Sequence, residues 1–176
     1  MNKKATIIAA FAGSGKSYLA EKYHGVLDLE SSYFKWENKG LEHLSVEERK
    51  GITTRVLNRE WPNNYIKEIV AQQDSYDIIF IILPHALLKT EKIADYFFEN
   101  NIDFYIARPK ITALETIVKR LKARGNNEDF INQVKNNFPV FIEEFSKPKY
   151  KSIVINNDEY LEDALLRLGF LKPKIK

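Results

Sequence analysis

The sequence predicts an α/β fold, a three-layer sandwich in which a five-stranded parallel sheet carries helices on both faces. Short apolar runs at 5–9, 26–32, 77–83, 102–107 and 152–155 alternate with longer stretches whose apolar residues recur at helical spacing. That alternation means parallel strands joined by right-handed crossovers. The run Asp77–Leu83 is apolar from its second residue onward, as a strand buried on both faces must be, so it belongs inside the sheet. A length of 176 residues with 44% hydrophobic residues gives one domain, residues 1–176, with a sizeable core and leaves little room for two.

The first strand, Ala5–Ala9, runs into Ala10-Phe11-Ala12-Gly13-Ser14-Gly15-Lys16-Ser17, and Lys16–Tyr23 reads as a helix. Strand, loop and helix in that order are the setting a phosphate-binding loop requires. Glycines let successive backbone N–H groups converge on one anion, the helix start adds partial positive charge, and a lysine adds a full one. On this reading Gly13, Ser14, Gly15, Lys16 and Ser17 bind a nucleotide, with Lys16 on the β- and γ-phosphates and the Ser17 hydroxyl on Mg²⁺. The pattern G-x-x-x-x-G-K-[ST] is broken once, because Ala10 stands where its first glycine falls. Alanine serves there if φ stays negative. A plain Gly-Ser turn capping a helix needs neither the lysine nor the hydroxyl.

The second strand, 26–32, ends in Asp28, Glu30, Ser31 and Ser32, and strand ends of this kind face the ligand crevice of a parallel sheet. Residues 33–73 are predicted as an acceptor-binding or flap insertion. They begin irregular and aromatic with Tyr33, Phe34 and Trp36, which either stack on a base or pack onto the domain. Ser45-Val46-Glu47-Glu48 is a capping box that starts a helix to about Leu57. Arg59–Pro62 interrupts, and a second helix follows over 63–73. Arg55 and Arg59 are candidates for an acceptor phosphate, or a solvated helix face. Pro84-His85 closes the third strand, and His85 is either a phosphate contact or a helix cap.

A helix to about Asn100, a fourth strand at 102–107 and a helix at 110–124 come next. Arg120 and Arg124, four residues apart, share one helical face with Ile117. A guanidinium is flat enough to stack on a base and forked enough to hold two phosphate oxygens, so Arg120 is assigned to the adenine and Arg124 to the phosphates, the alternative being a solvated face with Lys119 and Lys122. Gly125-Asn126-Asn127 breaks the helix and makes 120–130 a short lid. A helix at 128–145 follows, which Pro139 bends or divides, then a fifth strand at 152–155 and a last helix at 158–168 stopped by Gly169.

Composition narrows the partners. Twenty-seven basic against 24 acidic residues leave a net charge of +3, and no basic block exceeds a helix face, so no nucleic acid is expected. The absence of cysteine removes disulfides, thiolate metal sites and thiol catalysis. Met1-Asn2-Lys3-Lys4 is followed by an apolar run too short for a signal segment, and no stretch approaches a membrane span. A cytoplasmic protein with no membrane partner is the expectation.

The phosphate loop, the acidic end of the second strand, the apolar third strand ending in Leu83-Pro84-His85, and Arg120-Leu121-x-x-Arg124 together resemble the small P-loop kinases. Adenylate kinase and the other nucleoside monophosphate kinases are most similar, including the bacteriophage-encoded type, with the shikimate and gluconate kinases close behind. The resemblance implies a P-loop NTPase sandwich of strand order 2-3-1-4-5, ATP with Mg²⁺ as donor, and γ-phosphoryl transfer to a small acceptor. Monophosphate kinases follow the third strand with Asp-Gly-Phe-Pro-Arg, and the aligned residues Ile81–His85 lack both that acid and that arginine. Asp77 lies at the wrong end of the strand to replace the acid. Asp28-Leu29-Glu30 resembles the Asp-x-Asp of shikimate kinase, which implies that Asp28 organises the metal and Glu30 meets the acceptor hydroxyl. Alternation along a strand places both on one side. The leading expectation is a nucleotide or nucleoside kinase; a kinase for another hydroxylated metabolite and a non-catalytic nucleotide-binding module stand beside it.

Overall fold

The apolar run at the start of the chain becomes the middle of the sheet. A computed structural model of the protein describes residues 4–11, 13–45, 48–49, 55–83 and 91–173. Its elements are β1 (Thr6–Ala10), α1 (Lys16–Lys22), β2 (Val26–Asp28), α2 (Ser32–Lys35), α3 (Asn63–Ala71), β3 (Ile78–Ile81), α4 (Glu91–Glu99), β4 (Phe104–Pro109), a 3₁₀ turn (Ile111–Ala113), α5 (Leu114–Ala123), α6 (Glu128–Phe145), β5 (Lys151–Ile155) and α7 (Leu161–Arg167). The five strands run in the order β2-β3-β1-β4-β5 and every pair is parallel. Fold class and strand order are those the sequence and its resemblance led us to expect.

Alternation along β1 divides the interior in two. Ile7 and Ala9 join Ile79, Ile81 and Ile106 in a core filled from α3, α4, α5 and α6, while Ile8 and Ala10 join Phe80, Ala107, Leu19 of α1 and Leu161, Ala164 and Leu165 of α7 in the other. Helices therefore cover both faces. Pairings such as Ala9 with Ile81, Ala10 with Ala107 and Asp28 with Phe80 bring the carboxyl ends of the inner strands and β2 to one edge. That edge, beside the strand where the winding direction reverses, is where an open parallel sheet binds ligands.

The structure corrects several boundaries. β2 ends at Asp28 and the chain then turns into α2, so 33–35 is helical rather than irregular. The Ser45 capping box is present: Ser45 N and Oγ both donate to Glu48 Oε2 at 2.7 Å, and Glu48 N donates to Ser45 Oγ at 3.3 Å. Residues 46–47 and 50–54 lie outside the described residues. The expected helix does not reach Leu57, because Leu57 forms an antiparallel bridge with Trp36. α6 continues through Pro139, whose side of the helix is exposed, so water can satisfy the carbonyl left without its N–H partner. Among the described residues no helix is long and apolar enough to cross a membrane.

Candidate functional site

The glycine-rich loop after β1 is held by packing on both sides. Phe11 is buried among the rings of α6, 5.4 Å from Phe138 and 4.7 Å from Phe141, and its carbonyl accepts from Ser14 N at 3.3 Å. Gly13 and Gly15 adopt φ of +74° and +103°, where side chains are disfavoured. Gly13 has a second constraint, since a Cβ there would lie 2.9 Å from Leu121 Cδ2, so α5 packs directly on the loop. Ala10 is outside the left-handed region, which is why alanine suffices in place of the pattern's first glycine. Lys16 Nζ turns back to within 3.4 Å of Ala10 O. The Ser14 hydroxyl is buried without a protein partner, as fits a loop whose polar groups await an anion.

Ser17 and Asp28 meet. The Ser17 hydroxyl donates to Asp28 Oδ2 at 2.7 Å, a charge-assisted bond that joins the start of α1 to the end of β2. Among the described residues no group of three or more His, Cys, Asp or Glu gathers to hold a metal by itself. A hydroxyl beside one carboxylate, next to a phosphate cradle, fits Mg²⁺, which keeps several waters and shares its other ligands with phosphates.

Glu30 is turned into local structure, its Oε1 accepting from Ser32 N at 3.1 Å where α2 begins. Tyr65 of α3 fixes this end of the sheet. Its phenol is fully buried, donates to Leu29 O at 2.8 Å and accepts from Ile82 N at 3.3 Å, and burial pushes its pKa up. Asn64 Nδ2 donates to Phe34 O at 2.7 Å. Beyond α2 a short ribbon forms, with Glu37 N on Val56 O at 2.8 Å and Asn58 N on Lys35 O at 2.9 Å. The Arg55 guanidinium stands 4.7 Å and Lys35 Nζ 4.8 Å from the centre of the Trp36 ring. Burial first, and then the nearby Arg55 charge, lower the Lys35 pKa. Arg59 is exposed. His85 lies outside the described residues.

On the other side of the loop a cleft of about 780 Å³ opens between it, α5 and the start of α7, lined also by Arg120, Arg124, Tyr160, Glu162 and Asp163. Arg120 donates to Glu159 O at 3.1 Å and stacks on Tyr160, 3.8 Å from the ring centre. Tyr160 is nevertheless 54% exposed. Arg124 caps α5 and shares the wall. Arg124–Asn127 is the whole connection to α6, whose start is capped by Asn127 Oδ1 accepting from Phe130 N at 2.8 Å. Glu162 accepts from Tyr23 Oη at 2.6 Å and pairs with Lys22 at 2.8 Å, which raises the lysine's pKa.

Among the residues expected in the site, the structure brings Gly13–Ser17 and Asp28 together, and places Arg120 and Arg124 across the cleft. Glu30 and Arg55 belong to a separate region beyond β2. Asp77 sits at the opposite end of β3, its N–H on Gly25 O at 2.7 Å. Sequence reasoning missed Tyr65, Tyr160 and Lys35. Tyr65 carried only the signal of an apolar helix face, Tyr160 none, and Lys35 stood beside the aromatic run without a pattern of its own.

No protein-family model matches the chain, and no curated protein matches it in sequence. Among solved structures, a sugar kinase from Janibacter sp. HTCC2649, crystallised without ligand, aligns with a TM-score of 0.55 over 94% of this chain and 92% of its own, at 17% identity. The fold is kinase-like. At that identity the likeness carries the architecture, and the chemistry has to come from the residues at the sheet edge. The fold puts the glycine-rich loop and the Ser17–Asp28 contact at that edge.

Proposed function

We propose that the chain is an ATP- and Mg²⁺-dependent phosphotransferase that moves the γ-phosphoryl group of ATP onto a small acceptor. The observation that carries this is the Ser17–Asp28 bond beside Lys16: hydroxyl, carboxylate and ammonium converge on one strand edge in a kinase-like fold. The loop N–H groups and Lys16 bind the β- and γ-phosphates, Ser17 and Asp28 hold the metal and its water, and Arg124 neutralises charge on the transferring group. Bound Mg²⁺ supplies charge neutralisation and alignment of the phosphates, the main needs of in-line transfer. In the reaction the acceptor oxygen bonds to the γ-phosphorus as the bond to the β–γ bridging oxygen breaks, leaving ADP and releasing the acceptor's proton. Glu30 is assigned to the acceptor hydroxyl. Arg120 with Tyr160 offers a flat surface for the adenine.

The acceptor is a nucleotide or nucleoside in the leading reading. A second reading, another hydroxylated metabolite, is favoured by the sugar-kinase likeness of the fold and by the apolar end of β3 at Ile81-Ile82-Leu83. Neither a nucleic acid nor a membrane is a partner in this proposal. Calorimetric titration with Mg·ATP, followed by a turnover panel of nucleosides, nucleoside monophosphates, sugars and sugar acids, tests it. Lys16→Ala should abolish turnover and weaken Mg·ATP binding; unchanged affinity and turnover would sink the phosphate-loop assignment.

A further inference from the structure

One carboxylate ties the two ends of the cleft together. α1 continues from the glycine-rich loop, and the start of α7 carries Tyr160 and the Glu159 carbonyl that receives Arg120. Both helices lie on the same apolar core, α1 through Leu19 and α7 through Leu161, Ala164 and Leu165. Apolar packing is non-directional, and packed helices can slide past one another in small shears, so directional bonds have to fix their register. Glu162 makes them across 140 positions of chain. Lys22 Nζ lies 2.8 Å from its Oε1 and 3.1 Å from its Oε2, and Tyr23 Oη donates to Oε1 at 2.6 Å. Lys22 also donates to the Tyr18 hydroxyl at 3.1 Å, and Tyr18, like Glu162, lines the cleft. The Glu162 side chain is 18% exposed, whereas the acids of the Lys122–Glu128 and Lys151–Asp103 pairs are 69% and 82% exposed. Exposed pairs contribute little, and water screens the Glu162 pair less.

We infer that Glu162 is a positioning residue for nucleotide binding: by gripping Lys22 and Tyr23 at the end of α1 it holds the Arg120–Tyr160 surface at a fixed distance from the phosphate loop, and so sets the affinity for the nucleoside part of the nucleotide. The inference rests on the nucleotide-binding reading above and deepens it. Both Glu162 oxygens are engaged by Lys22 and Tyr23, so the residue acts through the placement of α7. A fixed separation matters because one ligand has to satisfy both ends at once. The triphosphate is anchored by the loop, and the base reaches Tyr160 only if α7 stands at the matching distance. Holding that distance before the ligand arrives removes an ordering cost from binding. Releasing it forfeits contacts to the nucleoside and leaves those to the phosphates in place.

The experiment is calorimetric titration with two ligands, Mg·ATP and Mg·tripolyphosphate, the second of which carries phosphates without sugar or base. The wild type should bind Mg·ATP the more tightly. Glu162→Gln keeps the shape and removes the charge, and it should weaken Mg·ATP about tenfold, the scale of a lost hydrogen bond to a charged group, while the affinity for Mg·tripolyphosphate stays as it was. Neither Lys22 nor Tyr23 is one of the described residues lining the cleft, so Lys22→Met and Tyr23→Phe test the strut from outside it. Each should give a smaller loss of the same kind, and Lys22→Met added to Glu162→Gln should cost little more, since two ends of one bond are not additive. A loss confined to Glu162→Gln would mean direct contact with the nucleotide and overturns the inference, as does an equal loss for both ligands. If Glu162→Gln melts below the assay temperature, Lys22→Met and Tyr23→Phe decide. A wild type that binds both ligands alike keeps the phosphate-loop reading and loses this inference, and one that binds neither loses both.

Discussion

The two sides of the sheet edge are built differently. On the β1 side, Gly13, Gly15, Lys16 and Ser17 sit within one short loop, and the packing that holds it, Phe11 in the rings of α6 and Leu121 against Gly13, adds precision to a conformation the glycines already permit. Beyond β2 no local motif holds the chain. There Leu29, Phe34 and Lys35 are placed by hydrogen bonds from Tyr65, Asn64 and Asn58, residues 23 or more positions away along the chain. A loop defined by local backbone conformation can be transplanted among folds, whereas a site defined by distant contacts exists only in its own. The loop is thus a local device, and the contacts beyond β2 are private to this fold.

Mutations can break that contrast in order of size. Arg124→Ala should lower turnover about 10³-fold, since an arginine on the transferring phosphoryl group is worth that much or more, and shift stability by only about 0.5 kcal/mol, as for an exposed side chain. Arg120→Ala should chiefly raise the KM for ATP. Steady-state kinetics with melting curves read both, and near-normal kinetics in each would return this wall of the cleft to ordinary surface. Asp28→Asn keeps the shape at Ser17 and removes the charge, so turnover should fall about 10- to 100-fold, the scale of a group that orients a metal's ligands, with a smaller change in ATP affinity. A silent Asp28→Asn across a Mg²⁺ series would remove its metal role.

Tyr65→Phe attacks the other side. It strips Leu29 O and Ile82 N of their buried partner, which costs about 1–3 kcal/mol. Chemical denaturation should show that loss, together with a raised KM for the acceptor and unchanged binding of Mg·ATP. An equal rise in both constants would mean the two sides are one mechanical unit.

The smallest effect lies behind the cleft. Arg167, with Asn156 N, holds the Glu159 carboxylate down at about 2, against about 4.3 in an unfolded chain. A depressed carboxylate stabilises the fold above the unfolded value, and the contribution is lost as pH falls through the folded one. The melting temperature of the wild type should therefore exceed that of Glu159→Gln at pH 7, and the gap should close between about pH 4.3 and pH 2. A gap that persists at pH 2 would assign the effect to shape rather than charge.

The sequence by itself determined the sheet, most of its helices and the glycine-rich loop after β1, because each is written in neighbours: apolar alternation at two faces of a strand, helical spacing, and glycines where φ must be positive. Even Asp28 was legible, as an acid at a strand end, although only the fold brought Ser17 Oγ to 2.7 Å from it. Arg55 read as part of a helix running to Leu57, and its placement over Trp36 was decided by an antiparallel bridge between residues 36 and 57. Tyr65 read as one more apolar residue of a helix face, and its phenol became a clamp only when β2 and β3 ended beside it. Those contacts join segments far apart along the chain, and nothing local in their residues favours one pairing over another. Tertiary packing chose them because buried backbone groups at the ends of β2 and β3 had to find partners.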